Sequence, residues 1–315
     1  MNWASILINI KLLIVICILP VSGIFTPAKA QQDPMYSQYM FNSLSINPAY
    51  AGTREMLSLM LLARQQWVGF DGAPSTGTFS AHSPIYNGMA AGASVIYDSY
   101  GPVKQTSFYI DYAYHLKMNE TLKLSMGLKG GFNHYAVDYN SLDRTSNMDN
   151  AYASSVEQTM LPNFGFGLYL YSPKFYVGLS VPKLMENKYE DESDSYGEGK
   201  EVRHYYSMAG TVFKMNEWFV LKPSVMTRLA EGSPFSIDFN LNSIFYDKLW
   251  LGAMYRLDDS FGGIAQYQFT PQFKVGYAFD LNTNALSSYH SGTHEVMIHY
   301  EFNFKKEKIL NPRYF

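Results

Sequence analysis

From Glu55 to the end of the chain, large apolar residues recur at every second position. Phe108, Ile110, Tyr112 and Tyr114 alternate with Ser107, Asp111, Ala113 and His115. Leu122, Leu124, Met126 and Leu128 alternate with Thr121, Lys123, Ser125, Gly127 and Lys129. The same holds for Phe235, Ile237, Phe239 and Leu241, for Phe273, Val275, Tyr277 and Phe279, and for Val296, Ile298, Tyr300 and Phe302. A period of two puts each parity on one face of a strand. A soluble β-sandwich also alternates, with its apolar face inside. Here the apolar parity is built from large residues over roughly ten positions, the length of a strand that crosses a bilayer.

The other parity carries polar and charged residues that need a lumen, and the connections sort by length as a barrel requires. Fourteen strands are read near 55–67, 76–83, 89–97, 104–116, 121–135, 163–171, 175–181, 203–214, 217–229, 235–245, 249–257, 261–269, 272–281 and 293–304. Connections after even strands are short: Pro84 to Gly88, Lys117 to Glu120, Ser172 to Lys174, Met215-Asn216, Tyr246 to Lys248 and Thr270-Pro271. The longest follow odd strands: Ala136 to Pro162, Pro182 to Val202 and Asn282 to Gly292. Outer-membrane barrels have short periplasmic turns and longer outside loops. The fold class expected is therefore all-β: a transmembrane, antiparallel, up-and-down β-barrel of about 14 strands with both ends periplasmic. Gly130-Gly131 inside the fifth strand predicts a bend or a close backbone approach.

The start of the chain is that of an exported protein. Lys11 precedes an apolar run from Leu12 to Leu19, and Ala28-Lys29-Ala30 is a small-x-small cleavage site. Residues 1–30 read as a signal peptide cut after Ala30, with an apolar core short for a membrane helix. Cys17, the single cysteine, lies within it, so the remainder has no disulfide, no thiolate metal site and no thiol nucleophile. That remainder carries 22 basic against 27 acidic residues, a net charge of −5, with no basic face for nucleic acid. Aromatics make up 16% of the chain and charged residues only 16%, below the ~25% charge usual in soluble domains. Export, aromatic richness and low charge place the chain in the outer membrane, in contact with its lipid.

Between the leader and the first strand lies Gln31 to Gly52, QQDPMYSQYMFNSLSINPAYAG. Asp33 is its only charge. It is too polar for a membrane helix and too apolar for a solvated tail. It reads as an N-terminal plug or periplasmic segment (31–53), ahead of a barrel (54–304) and a periplasmic tail (305–315). Its candidate plug or partner-docking residues are Ser37, Gln38, Tyr39, Met40, Phe41, Asn42, Asn47, Pro48, Ala49 and Tyr50. A short helix is expected over Ser37 to Leu44, with the segment's N-terminus on the periplasmic side.

Charged strand residues belong inside, since a charge facing lipid costs roughly 2–4 kcal/mol near the midplane. Arg64, Asp111, Asp238 and Arg256 are the candidate lumenal network, with Arg228 and Asp258 as further members. The histidines show no metal-binding pair at helical spacing with a glutamate. The acidic run Glu190-Asp191-Glu192-Ser193-Asp194 lacks the spacing and glycine of an EF-hand and reads as a solvated outside loop. No nucleophile-elbow pattern or phosphate loop stands in the chain. No catalytic residue, metal or cofactor is assigned.

Asp33-Pro34-x-x-Ser37-Gln38-Tyr39-Met40-Phe41-Asn42, followed by Asn47-Pro48-Ala49-Tyr50-Ala51-Gly52, resembles the opening of the PorP/SprF family of the type IX secretion system. Arg64-Gln65-Gln66-Trp67, Ser80-Ala81-His82-x-Pro84, Tyr112-Ala113-Tyr114-His115, Leu249-Trp250-Leu251-Gly252 and Pro312-Arg313-Tyr314-Phe315 extend the likeness through the chain. The resemblance implies a non-enzymatic outer-membrane accessory component. It would support export or cell-surface attachment of large surface proteins such as gliding adhesins. Its implied partners are type IX secretion components, a secreted surface protein and peptidoglycan-linked periplasmic proteins. Asn47-Pro48-Ala49 also resembles the plug opening of fatty-acid transport barrels, which gives the alternative of a fatty-acid-transporter-like or porin-like barrel for small solutes.

Overall fold

The computed structural model describes residues 35–138, 157–189 and 199–302. The leader, the acidic run at 190–194 and the tail at 305–315 lie outside the described residues. The chain forms a closed antiparallel barrel. Its fourteen crossing strands are β1 (Leu57–Gln65), β2 (Ser75–Tyr86), β3 (Met89–Tyr100), β4 (Val103–Lys117), β5 (Lys123–Val137), β6 (Glu157–Tyr171), β7 (Phe175–Val181), β8 (His204–Thr211), β9 (Phe219–Ala230), β10 (Ser236–Phe245), β11 (Leu249–Arg256), β12 (Ser260–Gln268), β13 (Phe273–Asn282) and β14 (Thr293–Phe302). Each pairs with its sequence neighbour, and β1 pairs with β14 from Leu57↔Phe302 to Gln65↔His294, which leaves no open edge. A two-residue strand, Phe213–Lys214, adds to β9, and Lys188–Tyr189 pairs with Gly199–Lys200 outside the barrel sheet.

Alternation becomes two environments. Ile110 and Leu128 are 57% and 59% exposed and face lipid, while their neighbours Asp111 and Lys129 are buried in the lumen. The short turns gather at one end. Asn87 and Gly88 both have positive φ, 45° and 81°, as a two-residue primed hairpin turn requires. Aromatic residues ring this end on the outside. Trp218 stacks on Tyr246 at 5.9 Å, Tyr267 meets Phe269 at 4.9 Å and Tyr300 meets Phe302 at 4.5 Å. Such girdles mark the level of the lipid headgroups. By the usual loop asymmetry the short-turn end is periplasmic.

All fourteen strands lie where the alternation puts them, with several boundaries moved. β2 runs through Pro84 to Tyr86 because the turn falls on Asn87-Gly88, β3 runs to Tyr100, and β8 stops at Thr211. β6 begins at Glu157, not near 163, and extends the β5–β6 hairpin to Val137↔Glu157. In this added length Met160, 61% exposed, continues the outward apolar parity. At Gly131 a Cβ would collide with the Phe108 carbonyl and the Tyr109 ring, so the glycine permits a close approach.

Ile110→Arg should cost about 2–4 kcal/mol of barrel stability, because it puts a charge on the lipid face. Urea unfolding of the lipid-folded barrel measures this. Lys104→Gln, near the loop end of β4, should stay within about 0.5 kcal/mol.

Candidate functional site

The lumen is filled by residues 35–53. The segment turns over 37–42, makes one α-helical turn at Ser43–Ile46 and a 3-10 turn at Pro48–Tyr50, and reaches β1 through Thr53 and Arg54. The helix stands six residues later than Ser37–Leu44 would have it. Pro48 explains its end. A proline disfavours helical backbone at the residue before it, and Asn47 is extended at φ −134°, ψ 111°. The Asn47 Oδ1 then accepts from Ala49 N at 2.9 Å and starts the 3-10 turn.

The direction of the segment is also corrected. Tyr36 to Gln38 sit among residues near the long-loop end, and Ala51 to Arg54 sit at the short-turn end. The described part therefore begins in the outer half of the lumen and runs down to β1. Its upstream end is not at the periplasmic rim.

Three groups of wall contacts hold it. In the outer half, the buried Glu295 carboxylate accepts from Ser37 N and Gln38 N, both at 2.9 Å. Arg64 Nη1 pairs with Glu295 and Asp280 at 3.0 Å each and donates to Ser37 Oγ at 2.5 Å. Ser37 Oγ also donates to Asp280. Gln266 donates to Gln38 Oε1 at 3.0 Å, and Tyr36 shares a hydrogen bond with Thr78 at 2.9 Å. Midway, Lys129 Nζ donates to the Leu44 and Ser45 carbonyls at 3.1 and 3.2 Å while lying 3.5 Å from Asp111. Ser180 Oγ donates to the Ile46 carbonyl at 2.9 Å, and Asn47 Nδ2 donates to the Leu168 carbonyl at 3.0 Å. Near the periplasmic end, Gly52 N donates to His82 Nδ1 at 3.0 Å, His115 Nε2 contacts the Ala51 carbonyl at 2.8 Å, and Arg54 Nε pairs with Glu301 at 2.6 Å.

The wall is cut to receive this backbone. A Cβ at Gly127 would strike Pro48 and Ala49, one at Gly167 would strike the Asn47 amide, and one at Gly276 would press on Gln38 Oε1. Glycine in a strand weakens it and marks sites where another chain comes close. Apolar packing completes the fit. Tyr39, Met40, Leu44, Ile46 and Tyr50 are buried with Met60, Leu62, Tyr169, Tyr176 and Met208. Tyr50 meets Tyr169 edge-on at 5.7 Å, and Phe41 meets Trp250 at 5.4 Å. Burial pushes the Tyr39 phenol well above its usual range, so it stays neutral. Its hydroxyl is 3.4 Å from Ser224 Oγ. Asn42 accepts from Ser45 Oγ at 2.7 Å and so braces the segment internally.

The candidate network residues Arg64, Asp111, Arg228, Asp238 and Arg256 are buried in the lumen, in pairs the sequence did not assign. Arg256 holds Asp238 through two hydrogen bonds, at 2.7 and 2.9 Å, and reaches Asp259 at 3.4 Å. Arg64 does not pair with Asp111; it takes Asp280 and Glu295, and Asp111 takes Lys129. Asp258 sits in the turn after β11 with φ 56° and joins no network among the described residues. Asp280, Glu295 and Lys129 were missed, although each stands on the polar parity of a strand that the alternation identifies. Among the described residues no cluster of His, Cys, Asp and Glu could hold a metal.

These features define a plugged outer-membrane β-barrel. The family model for the type IX secretion system membrane protein PorP/SprF matches residues 28–300, and the chain belongs to that family. Comparison with curated protein sequences finds no match. Among solved structures, the CymD monoaromatic hydrocarbon channel is 12% identical with a TM-score of 0.51, over 89% of this chain and 95% of that one. The Ralstonia pickettii toluene transporter TbuX is 11% identical with a TM-score of 0.49, over 89% and 96%. A Pseudomonas aeruginosa FadL homologue is 12% identical with a TM-score of 0.48, over 83% and 94%. At these identities the likeness is one of fold.

Two outcomes test the grip. Gly167→Leu should expel the plug while leaving a heat-modifiable barrel, and trypsin should then cut after Arg54 at least about tenfold faster than in wild type, the population change that ~1.4 kcal/mol gives. Arg64→Met should destabilise the folded state by about 3–5 kcal/mol, because it strands two buried carboxylates. Chemical unfolding in detergent measures that loss.

Proposed function

We propose that this chain is an accessory barrel of the type IX secretion system that supports export or surface attachment of a large secreted protein, such as a gliding adhesin. Membership of the PorP/SprF family supports the secretion role. The observation that carries the step from pore to interaction protein is the filled lumen. Three cavities beside the plug are about 20, 30 and 50 Å³. At roughly 10–15 Å³ for one water-sized centre, they admit a few waters and no polypeptide. The barrel then acts through its rims: the long-loop end outside, and the short turns and the Arg54 region toward the periplasm. Those periplasmic surfaces suit type IX components and peptidoglycan-linked proteins as partners. Ser37, Gln38, Tyr39, Met40, Phe41, Asn42, Asn47, Pro48, Ala49 and Tyr50 set the plug in place, and through it the shape of both rims.

A small-solute barrel is the second reading. The CymD channel shares the architecture, and this reading requires the plug to move.

Deleting the gene should remove one or a few large proteins from the cell exterior, seen in a surface proteome. An unchanged surface proteome would sink the secretion reading. Deleting Gln31 to Ala49 should leave a heat-resistant barrel in detergent that no longer co-purifies with its cargo. Solute uptake or conductance in liposomes by the intact barrel would favour the second reading.

A further inference from the structure

The residues that grip the plug near its periplasmic end also enclose a cavity. In the periplasmic half, beneath Met40 and Phe41, a cavity of about 30 Å³ is lined by Phe41, Arg54, Ser58, Trp250, Lys274 and His299, among others. Two lysines project into this region from β9 and β13. Lys274 Nζ lies 4.5 Å from the Phe41 ring centroid and 4.7 Å from that of Trp250, and Lys222 Nζ lies 5.5 Å from each. Both ammonium groups thus address the same pair of rings. Both residues are buried, at 1% and 5% exposure.

Glu301 is near enough for its charge to be felt at Lys274 but makes no direct ion pair with it. Glu301 is held by Arg54 at 2.6 Å, and its further neighbour is His299 at 3.9 Å. Among the described residues no carboxylate comes within ion-pair distance of Lys274. Hydrogen-bond donors are in surplus too. Trp250 Nε1, in a residue 6% exposed, has no partner among the described residues. A buried donor left unpaired is costly, and a buried charge without an opposite charge more so. Ring faces attract a cation but do not neutralise it.

We propose that this cavity is a binding site for a carboxylate group. Size selects the ligand as much as charge does. At roughly 10–15 Å³ for each water-sized centre, 30 Å³ takes about two oxygen atoms. That matches a carboxylate and is too small for a sugar, a nucleotide or an aromatic ring. Lys274 and the Trp250 indole N–H would donate to its oxygens, Lys222 would add charge, and Met40, Phe41 and Leu44 on the plug would close over it. A cavity of this size admits no polypeptide, so the carboxylate is that of a free small acid.

The test uses the full chain, folded in detergent, with intrinsic tryptophan fluorescence as the readout. Sodium acetate is titrated at constant ionic strength, balanced with sodium fluoride. A saturable change is expected in wild type and in the exposed-turn control Lys174→Met. Trp250→Phe should abolish the signal, which identifies the reporter. Lys274→Met should raise the apparent Kd at least about tenfold, as loss of a hydrogen bond to a charged group implies, and Lys274→Arg should restore most of it. If Lys274→Met gives no heat-modifiable barrel, Lys274→Gln takes its place. A short peptide with a free C-terminus is too large for the cavity and should give no response; a response as tight as that to acetate would overturn the assignment to this cavity. An equal response to chloride would overturn the carboxylate assignment. So would the absence of any saturable change, or a Lys274 variant that titrates like wild type.

Discussion

In the hydrocarbon core every backbone N–H and C=O needs a partner within the protein, and here the β1–β14 pairing supplies the last of them. Closure has a consequence that shapes everything inside. Fourteen strands enclose more space than their own inward side chains fill, and those side chains are largely polar: Ser58, Thr78, Ser80, Ser94, Ser107, Asn133 and Asn163 are all buried. Such a lumen must be wet or be filled by something that satisfies its polar groups. Residues 35–53 fill it, and they do so with backbone as much as with side chains. The amides of Ser37, Gln38 and Gly52 and the carbonyls of Leu44, Ser45, Ile46 and Ala51 all meet wall groups. An irregular segment is tolerated at membrane depth because it is enclosed by protein and never meets lipid.

The barrel was legible because lipid imposes a rule that sequence displays directly. Each lipid-facing position must be apolar, so Phe273, Val275 and Tyr277 announce their strand without help from its neighbours. The inner parity follows no such rule. It shows that Arg64 faces in, but the partner of Arg64 depends on how β13 and β14 register against β1, and that stagger leaves no mark on any one strand. Asp280 and Glu295 were therefore invisible as partners, although their polarity was plain. Arg256 and Asp238 lie on adjacent strands joined by a tight hairpin, where loop length fixes the register, and that pair could be anticipated. The true start of β6 was hidden because Glu157, Gln158 and Thr159 break, in the sequence, the apolar alternation that Met160, Phe164 and Phe166 carry.

The plug was legible as a segment in need of cover but not as a path. Its aromatics and prolines say that it packs; they do not say in which direction. Direction is set by complementary pieces far apart in sequence. Gly167 leaves room for the Asn47 amide, Gly127 for Ala49, and Glu295 presents a carboxylate at the height of Ser37. The helix shift has a local cause that the sequence did contain, since Asn47-Pro48 ends one turn and begins the next.

The way the plug is held bears on how it could ever be released. Replacing a buried ion pair with apolar residues is often neutral or stabilising, so Arg64 with Glu295 and Asp280 need not be there for stability. What such a network supplies is registry: one height at which Ser37 and Gln38 meet all of their partners. The same dependence gives a route out. An apolar plug would have to expose its surface to leave, whatever arrived in its place. A plug held by backbone hydrogen bonds to Glu295, Lys129, Ser180 and His82 can be exchanged for another extended or turning backbone that offers the same amides and carbonyls. With residues 35–53 in place, those wall groups are already occupied along the height of the lumen.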